Sequence, residues 1–147
     1  MTRDDILKME VGREMDALVA EKVMEWKRAH YDYVFWQQTA AEPLLRYCSS
    51  TLIMNNGDEI PNYYQPFHPS RDIAAAWEVV KQFRDKDSRW CPSIFWDDDD
   101  GLSVGYWNAD FTYYGDTSEE FKSDEAIGGT APLAICRAAL LAVMEVE

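Results

Sequence analysis

The sequence lacks the short motifs by which many enzymes are recognised. It contains no GxSxG, no phosphate-binding P-loop, no GxGxxG and no HExxH. Its histidines, His30 and His68, lie far apart in the chain. A catalytic site could still be assembled in space from separate segments, but no residue spacing favours one. We therefore predict a protein that is not an enzyme, with no catalytic residues and no cofactor.

Metal-binding patterns are missing as well. There are three cysteines and no CxxC pair, which excludes a zinc ribbon and favours free thiols in a reducing compartment. The run Asp97–Asp100 before Gly101 has the composition of a calcium loop. With Gly101 at the sixth position of such a loop, however, Trp96 and Trp107 take its first and twelfth positions, where acids are required. We expect this segment to be a charged hairpin tip that holds no metal ion.

Positive charge is scarce. The chain has 14 Lys and Arg against 27 Asp and Glu, a net charge of −13, and only Lys122 and Arg137 are basic after residue 89. Because proteins bind a nucleic-acid backbone by presenting cations to phosphates, direct binding to nucleic acid is disfavoured. The acidic C-terminal part is either a solubilising surface or a surface that imitates a phosphate backbone.

Long apolar runs are also absent. No run approaches the ~18 residues of a membrane span, so we expect no membrane association. The first residues, MTRDDILKMEVGRE, are charged from the start and lack the apolar stretch of a secretory signal.

The patterns that are present predict an α+β fold. Apolar residues at helical spacing indicate helices over 2–28, 70–87 and 130–146, with Thr2, Ser70 and Thr130 as N-caps. Strand-like runs occur at 31–36 and 44–54, followed by a turn at 55–58 and an extended, aromatic-rich loop at 60–70. Residues 90–96, 102–107, 109–116 and 119–125 indicate an antiparallel meander, with a hairpin turn at Asp97–Gly101. Helices and strands that do not alternate are typical of this class.

The last helix is apolar on almost every side, so it must be covered on more than one face. A sheet and a neighbouring helix could cover it, and so could a second subunit. The meander is rich in aromatic residues, and exposed aromatics often mark an interface. We expect a homo-oligomer, most simply a dimer.

Three segments, at 2–26, 70–83 and 130–146, resemble the phage ABA sandwich domain, a family of small bacteriophage proteins. The resemblance implies a single domain over 1–147, built as an α/β/α sandwich. Its antiparallel sheet of three to five strands would be covered by helices. Residues 37–60 would form an insert longer than is usual. The resemblance brings no catalytic motif, and it implies a location in the cytoplasm of the bacterial host.

Two places in the sequence could bind an anion. Around 60–72, Tyr64, His68, Ser70 and Arg71 combine an aromatic ring and a cation with the free N–H groups of a helix N-terminus. Arg137 lies in an apolar helix and needs a partner. That partner is either a carboxylate, such as Asp16, Glu14 or Glu78, or a bound anion.

These features favour two functions. In the first, a phage accessory protein binds and sequesters a small nucleotide-like host immune signal, as a counter-defence, through Tyr64, His68, Ser70, Arg71 and Arg137. In the second, an acidic protein blocks a host protein, as an inhibitor or a nucleic-acid mimic.

Overall fold

The computed structural model describes residues 1–26, 35–36, 45–53, 56–98 and 105–144. The elements in chain order are α1 (Arg3–Lys8), α2 (Arg13–Leu18) with a π-helical turn (Val19–Val23), β1 (Phe35–Trp36), β2 (Leu45–Ile53), β3 (Glu59–Pro66), α3 (Ile73–Lys86), β4 (Trp90–Asp97), β5 (Tyr106–Tyr113), a 3₁₀ turn (Ser118–Glu120), β6 (Lys122–Gly128) and α4 (Ala131–Val143). The predicted α+β class is confirmed, with helices packed against an antiparallel sheet.

The N-terminal helix predicted over 2–28 is wrong as a single element. Thr2 caps α1 as expected: its hydroxyl accepts a hydrogen bond from the Asp5 N–H, and the Asp5 carboxylate accepts one from the Thr2 N–H. The chain then leaves the helix and restarts after Gly12, whose φ of +153° suits glycine almost alone. Gly12 therefore divides the predicted helix into α1 and α2.

The sheet that contacts the helices has the order β4-β5-β6, antiparallel throughout. Asp97 pairs with Tyr106, which confirms the hairpin, while residues 99–104 at its tip lie outside the description. The strands predicted at 102–107 and 109–116 are wrong as separate elements, because β5 is unbroken from Tyr106 to Tyr113 across the expected gap at residue 108. The run predicted at 119–125 is β6, and it begins at Lys122.

A second antiparallel sheet has the order β1-β2-β3. The predicted turn is confirmed at Asn56 and Gly57: the Asn56 side chain accepts a hydrogen bond from the Asp58 N–H, and Gly57 has a φ of +88°. The loop predicted over 60–70 is wrong for its first half, which forms β3. Proline argues against a central strand, but β3 lies at the end of this sheet, where Pro61 and Pro66 are tolerated.

The core lies between the helices and one face of β4-β5-β6. Ala109, Phe111 and Ala126 point from the strands towards the helices and are buried. The sequence spacing predicts an apolar face of α3 formed by Ile73, Ala76, Trp77, Val80 and Phe83. This is partly wrong: Ile73 and Trp77 are about half exposed, and the buried residues are Ala75, Ala76, Val79, Val80 and Phe83.

Helix α4 is the centre of the core. It contacts β5, β6, α1, α3 and the π-helical turn, and ten of its thirteen residues are buried. Thr130 caps it as predicted, accepting a hydrogen bond from the Leu133 N–H. Because elements of the same chain cover α4 on several sides, its apolar character does not require a second subunit. Among the described helices, none is both long and apolar enough to cross a membrane.

Candidate ligand-binding site

The loop between β3 and α3 is fastened to the N-terminal helices. The Ser70 N–H donates to Oδ1 of Asp16 at 2.9 Å, and the Ser70 hydroxyl accepts from the Gly12 N–H at 3.1 Å. Ser70 is fully buried. It was predicted to cap α3, and that is wrong: Asp72 accepts from the Ala74 N–H and is the cap. The polar groups of Ser70 are thus used inside the protein.

Asp16 is the buried charge beneath this loop. It is 1% exposed, and burial raises the pKa of its carboxyl, while the Ser70 hydrogen bonds and the nearby Arg71 and His68 oppose that rise. Asp16 was considered only as a partner for Arg137. Its position means that any anion approaching Arg71 and His68 also approaches a carboxylate.

The structure brings three of the predicted residues together in one turn. The carbonyl of His68 accepts from the N–H groups of both Arg71 and Asp72 at 3.0 Å. The Arg71 side chain is exposed, whereas His68 is half-buried and its Nδ1 has no hydrogen-bond partner in the described part of the chain. Tyr64 pairs with Tyr47 between β3 and β2, but its side chain lies outside the described residues.

Arg137 is bound by backbone carbonyls. Its Nε and Nη2 donate to the Met9 carbonyl at 3.2 and 2.9 Å, and its Nη1 donates to the Ile127 carbonyl at 2.9 Å. Backbone carbonyls at the end of α1 and in β6 therefore take the place of the carboxylate, one of the two partners that we considered. Arg3 binds the Glu125 carbonyl in the same way, so two guanidinium groups cover the free edge of β6.

Of the two cysteines that the structure describes, Cys91 is exposed and Cys136 is buried. Cys136 is fully buried, and burial raises the pKa of its thiol well above the usual range, which keeps it protonated. Across the described ranges, no three His, Cys, Asp or Glu side chains are grouped to hold a metal ion. Half of the aspartate run predicted to be metal-free, Asp99 and Asp100, lies outside those ranges, so that prediction is not tested there.

A cleft that sequence reasoning missed lies on the helical side of the sheet. Its volume is about 280 Å³, close to the lower end of the range for small-molecule sites. Val23 and Phe83 form its buried floor, and the Trp90 ring, half-buried, meets Phe83 edge to face at 5.0 Å. The remaining lining residues are Lys22, Glu25, Gln82, Lys86 and Val143.

Two lysines come together at this cleft from separate elements. Lys22 belongs to the π-helical turn and Lys86 to the last turn of α3. The Lys86 ammonium pairs with the Glu25 carboxylate at 2.5 Å. Cations above an aromatic floor suit a ligand that has an anionic group and a flat ring. Helical spacing located each lysine in its helix, but only the packing of the π-helical turn against α3 brings them to one place.

Comparison with known proteins agrees with the family resemblance. The family model for the phage ABA sandwich domain matches residues 17–140. The chain belongs to this family. The match runs from α2 into α4, and it spans the segment 37–60. A search of curated proteins finds no match. A member of the phage ABA sandwich family is a phage protein, and the family assigns it no residue roles.

Proposed function

We propose that this phage ABA sandwich protein binds and sequesters a small nucleotide-like anion without turning it over. It would act as a counter-defence accessory in the cytoplasm of the bacterial host. The supporting observation is the cleft at Lys22, Lys86 and Trp90, where two cations converge on an aromatic floor in a chain with a net charge of −13. Aromatic faces and ammonium groups recognise a base and a phosphate, respectively.

Each lining residue has a chemical part in this proposal. Lys22 and Lys86 neutralise the phosphate, and the Trp90 indole stacks against the base. Gln82 offers both a donor and an acceptor to the edge of a base. Binding of this kind uses charge and shape alone, and it requires no nucleophile and no general base.

The loop residues predicted from the sequence form an alternative position for the phosphate. Arg71 is exposed and could hold a phosphate at the other end of α3, whereas the unpartnered Nδ1 of His68 is buried within the described chain and is not open to a ligand. The neighbouring Asp16 carboxylate weakens the positive potential there. Arg71→Ala therefore serves as the competing arm of the test.

Thermal unfolding with a panel of nucleotides tests the function. A ligand at about 100 times its Kd stabilises the fold by about 2.7 kcal/mol, which raises the Tm by several degrees. We expect Lys86→Ala to abolish that rise. Lys81→Ala, one turn earlier on α3 and outside the cleft, should leave it unchanged. If Arg71→Ala alone abolishes the rise, the ligand binds at the loop. If no nucleotide raises the Tm of the unmodified protein, the proposed function is wrong.

A second function, an acidic inhibitor of a host protein, is favoured by the outer face of the sheet. Phe95 and Ile127 lie on either side of the buried Asn108 in one cross-strand row on this face, and they are 47% and 49% exposed. The neighbouring rows carry Asp97, Asp110 and Glu125. An apolar pair among carboxylates suits a basic partner. We expect Phe95→Lys to abolish co-purification with such a partner, and an unaffected complex would exclude this face.

A further inference from the structure

The proposed ligand cleft already contains an anion supplied by the protein itself. The Glu25 carboxylate lies 2.5 Å from the Lys86 ammonium, at the rim of the cleft. Both side chains are more than half exposed. Exposed ion pairs of this kind contribute little to stability, so a stronger anion can replace the carboxylate at small cost.

The backbone of Glu25 points to the same contact. Its φ is +58°, in the left-handed region that an L-residue adopts only under strain. It follows the end of a helical segment, where the Trp26 N–H bonds to the Ala20 carbonyl. Glycine is the usual residue at such a position. A glutamate there satisfies the backbone less well than glycine would, while it delivers a carboxylate to Lys86.

We infer that Glu25 is a built-in competitor for Lys86 and that the cleft takes ligands with a terminal phosphate monoester. This inference rests on the proposed function. Lys22, Lys86 and Glu25 give the cleft a local charge of +1 without ligand and +2 once Glu25 has moved away. A monoester dianion interacts with these ammonium groups about twice as strongly as a diester monoanion does.

The experiment compares two probes that share a base and a sugar, adenosine monophosphate and cyclic adenosine monophosphate. Calorimetric titrations at about pH 8 keep the monoester close to a charge of −2. We expect the monoester to bind more tightly to the unmodified protein. For charges about 5–6 Å apart in water, Glu25→Gln should tighten the monoester about tenfold and the cyclic diester about threefold.

The chain offers a matched control. Lys81 and Asp85 form an exposed ion pair on α3, also at 2.5 Å, but outside the cleft. Asp85 is next to Lys86 in the sequence, but its exposed carboxylate pairs with Lys81 and does not line the cleft, so Asp85→Asn should change both affinities less than about twofold. Glu25→Gly, which relieves the backbone strain, should tighten binding as Glu25→Gln does.

Each other result decides against the inference. If both probes bind and Glu25→Gln leaves both affinities unchanged, Glu25 is no competitor, although the proposed function stands. Equal gains from Asp85→Asn and Glu25→Gln would show an effect of overall charge alone. Tighter binding of the cyclic diester would overturn the ligand class. If neither probe binds the unmodified protein or Glu25→Gln, the inference and the nucleotide site both fail.

Discussion

Replacing Arg137 by alanine separates a structural role from a ligand-binding role for this residue. The half-buried guanidinium makes three hydrogen bonds to two carbonyls and joins α4 to the end of α1 and to β6. A hydrogen bond to a charged group contributes about 1.5–3 kcal/mol, and the exposed bond to Ile127 contributes less. We expect Arg137→Ala to lower the free energy of unfolding by about 2–4 kcal/mol.

Urea denaturation followed by tryptophan fluorescence measures this loss. With a slope of about 2 kcal/mol/M, the midpoint should fall by about 1–2 M. Arg137→Lys keeps the charge but cannot bind both carbonyls with one ammonium, so it should fall between alanine and arginine. If Arg137→Ala costs less than about 0.5 kcal/mol and abolishes the nucleotide-dependent rise in Tm, Arg137 contacts the ligand and the structural reasoning is wrong.

The remaining predictions concern Asp16, Gly105 and assembly. Burial raises the pKa of Asp16 in the folded state, so folding loses stability as the pH rises from the ordinary value of 3.8 through the folded pKa. The free energy of unfolding of Asp16→Asn should therefore rise, relative to that of the unmodified protein, as the pH increases. Urea denaturation between about pH 4 and 8 measures this difference, and a difference that does not change with pH would contradict the reasoning. A Cβ on Gly105 would lie 1.9 Å from the Trp96 ring. Since that ring is half exposed and can move, Gly105→Ala should cost about 1–2 kcal/mol and change the tryptophan spectrum, and unchanged stability would show that the contact is loose. Although α4 does not require a second subunit, the exposed aromatic residues of the meander still favour a dimer, so light scattering should give about twice 17.0 kDa, and a mass of 17.0 kDa would refute it.

Strong local patterns predicted much of the fold. The apolar spacing in α4, the cap at Thr130 and the strand content of β4 and β5 agree with the structure, and the spacing in α3 predicted the helix but not all of its buried face. These elements depend mostly on residues near each other in sequence, and their apolar residues pack into the same core.

The failures occurred where local signals compete with packing. The predicted helix over 2–28 contains Gly12, and a glycine inside a helix costs only about 1 kcal/mol, which does not by itself end the helix. In the structure, Gly12 adopts a conformation that interrupts the helix, and its N–H donates to the Ser70 hydroxyl. Ser70 and Asp72 are both residues that cap helices, and the sequence offers no means to choose between them. The tertiary structure selects Asp72 as the cap, because Ser70 is buried and its N–H donates to Asp16.

The candidate site could not be predicted for a related reason. Lys22, Glu25, Lys86 and Trp90 come from the π-helical turn, the residues after it, α3 and β4. Their convergence depends on how α2 restarts after Gly12 and on the crossing of that segment with α3. Sequence analysis finds a cluster such as 64–71 because its residues are close together in the chain. It cannot find a site whose residues come from separate elements.

The acidity of the chain and the proposed anion site are compatible because the acidic face and the cleft lie on different sides of the sheet. The cleft is on the side of α3 and α4, while Asp97, Asp110 and Glu125 alternate onto the outer face. At physiological ionic strength, exposed charges more than about 8 Å apart are largely screened, so the nearby lysines dominate the potential in the cleft. The ligand cleft and the acidic face thus use separate surfaces, and a variant at Lys86 tests one without disturbing the other.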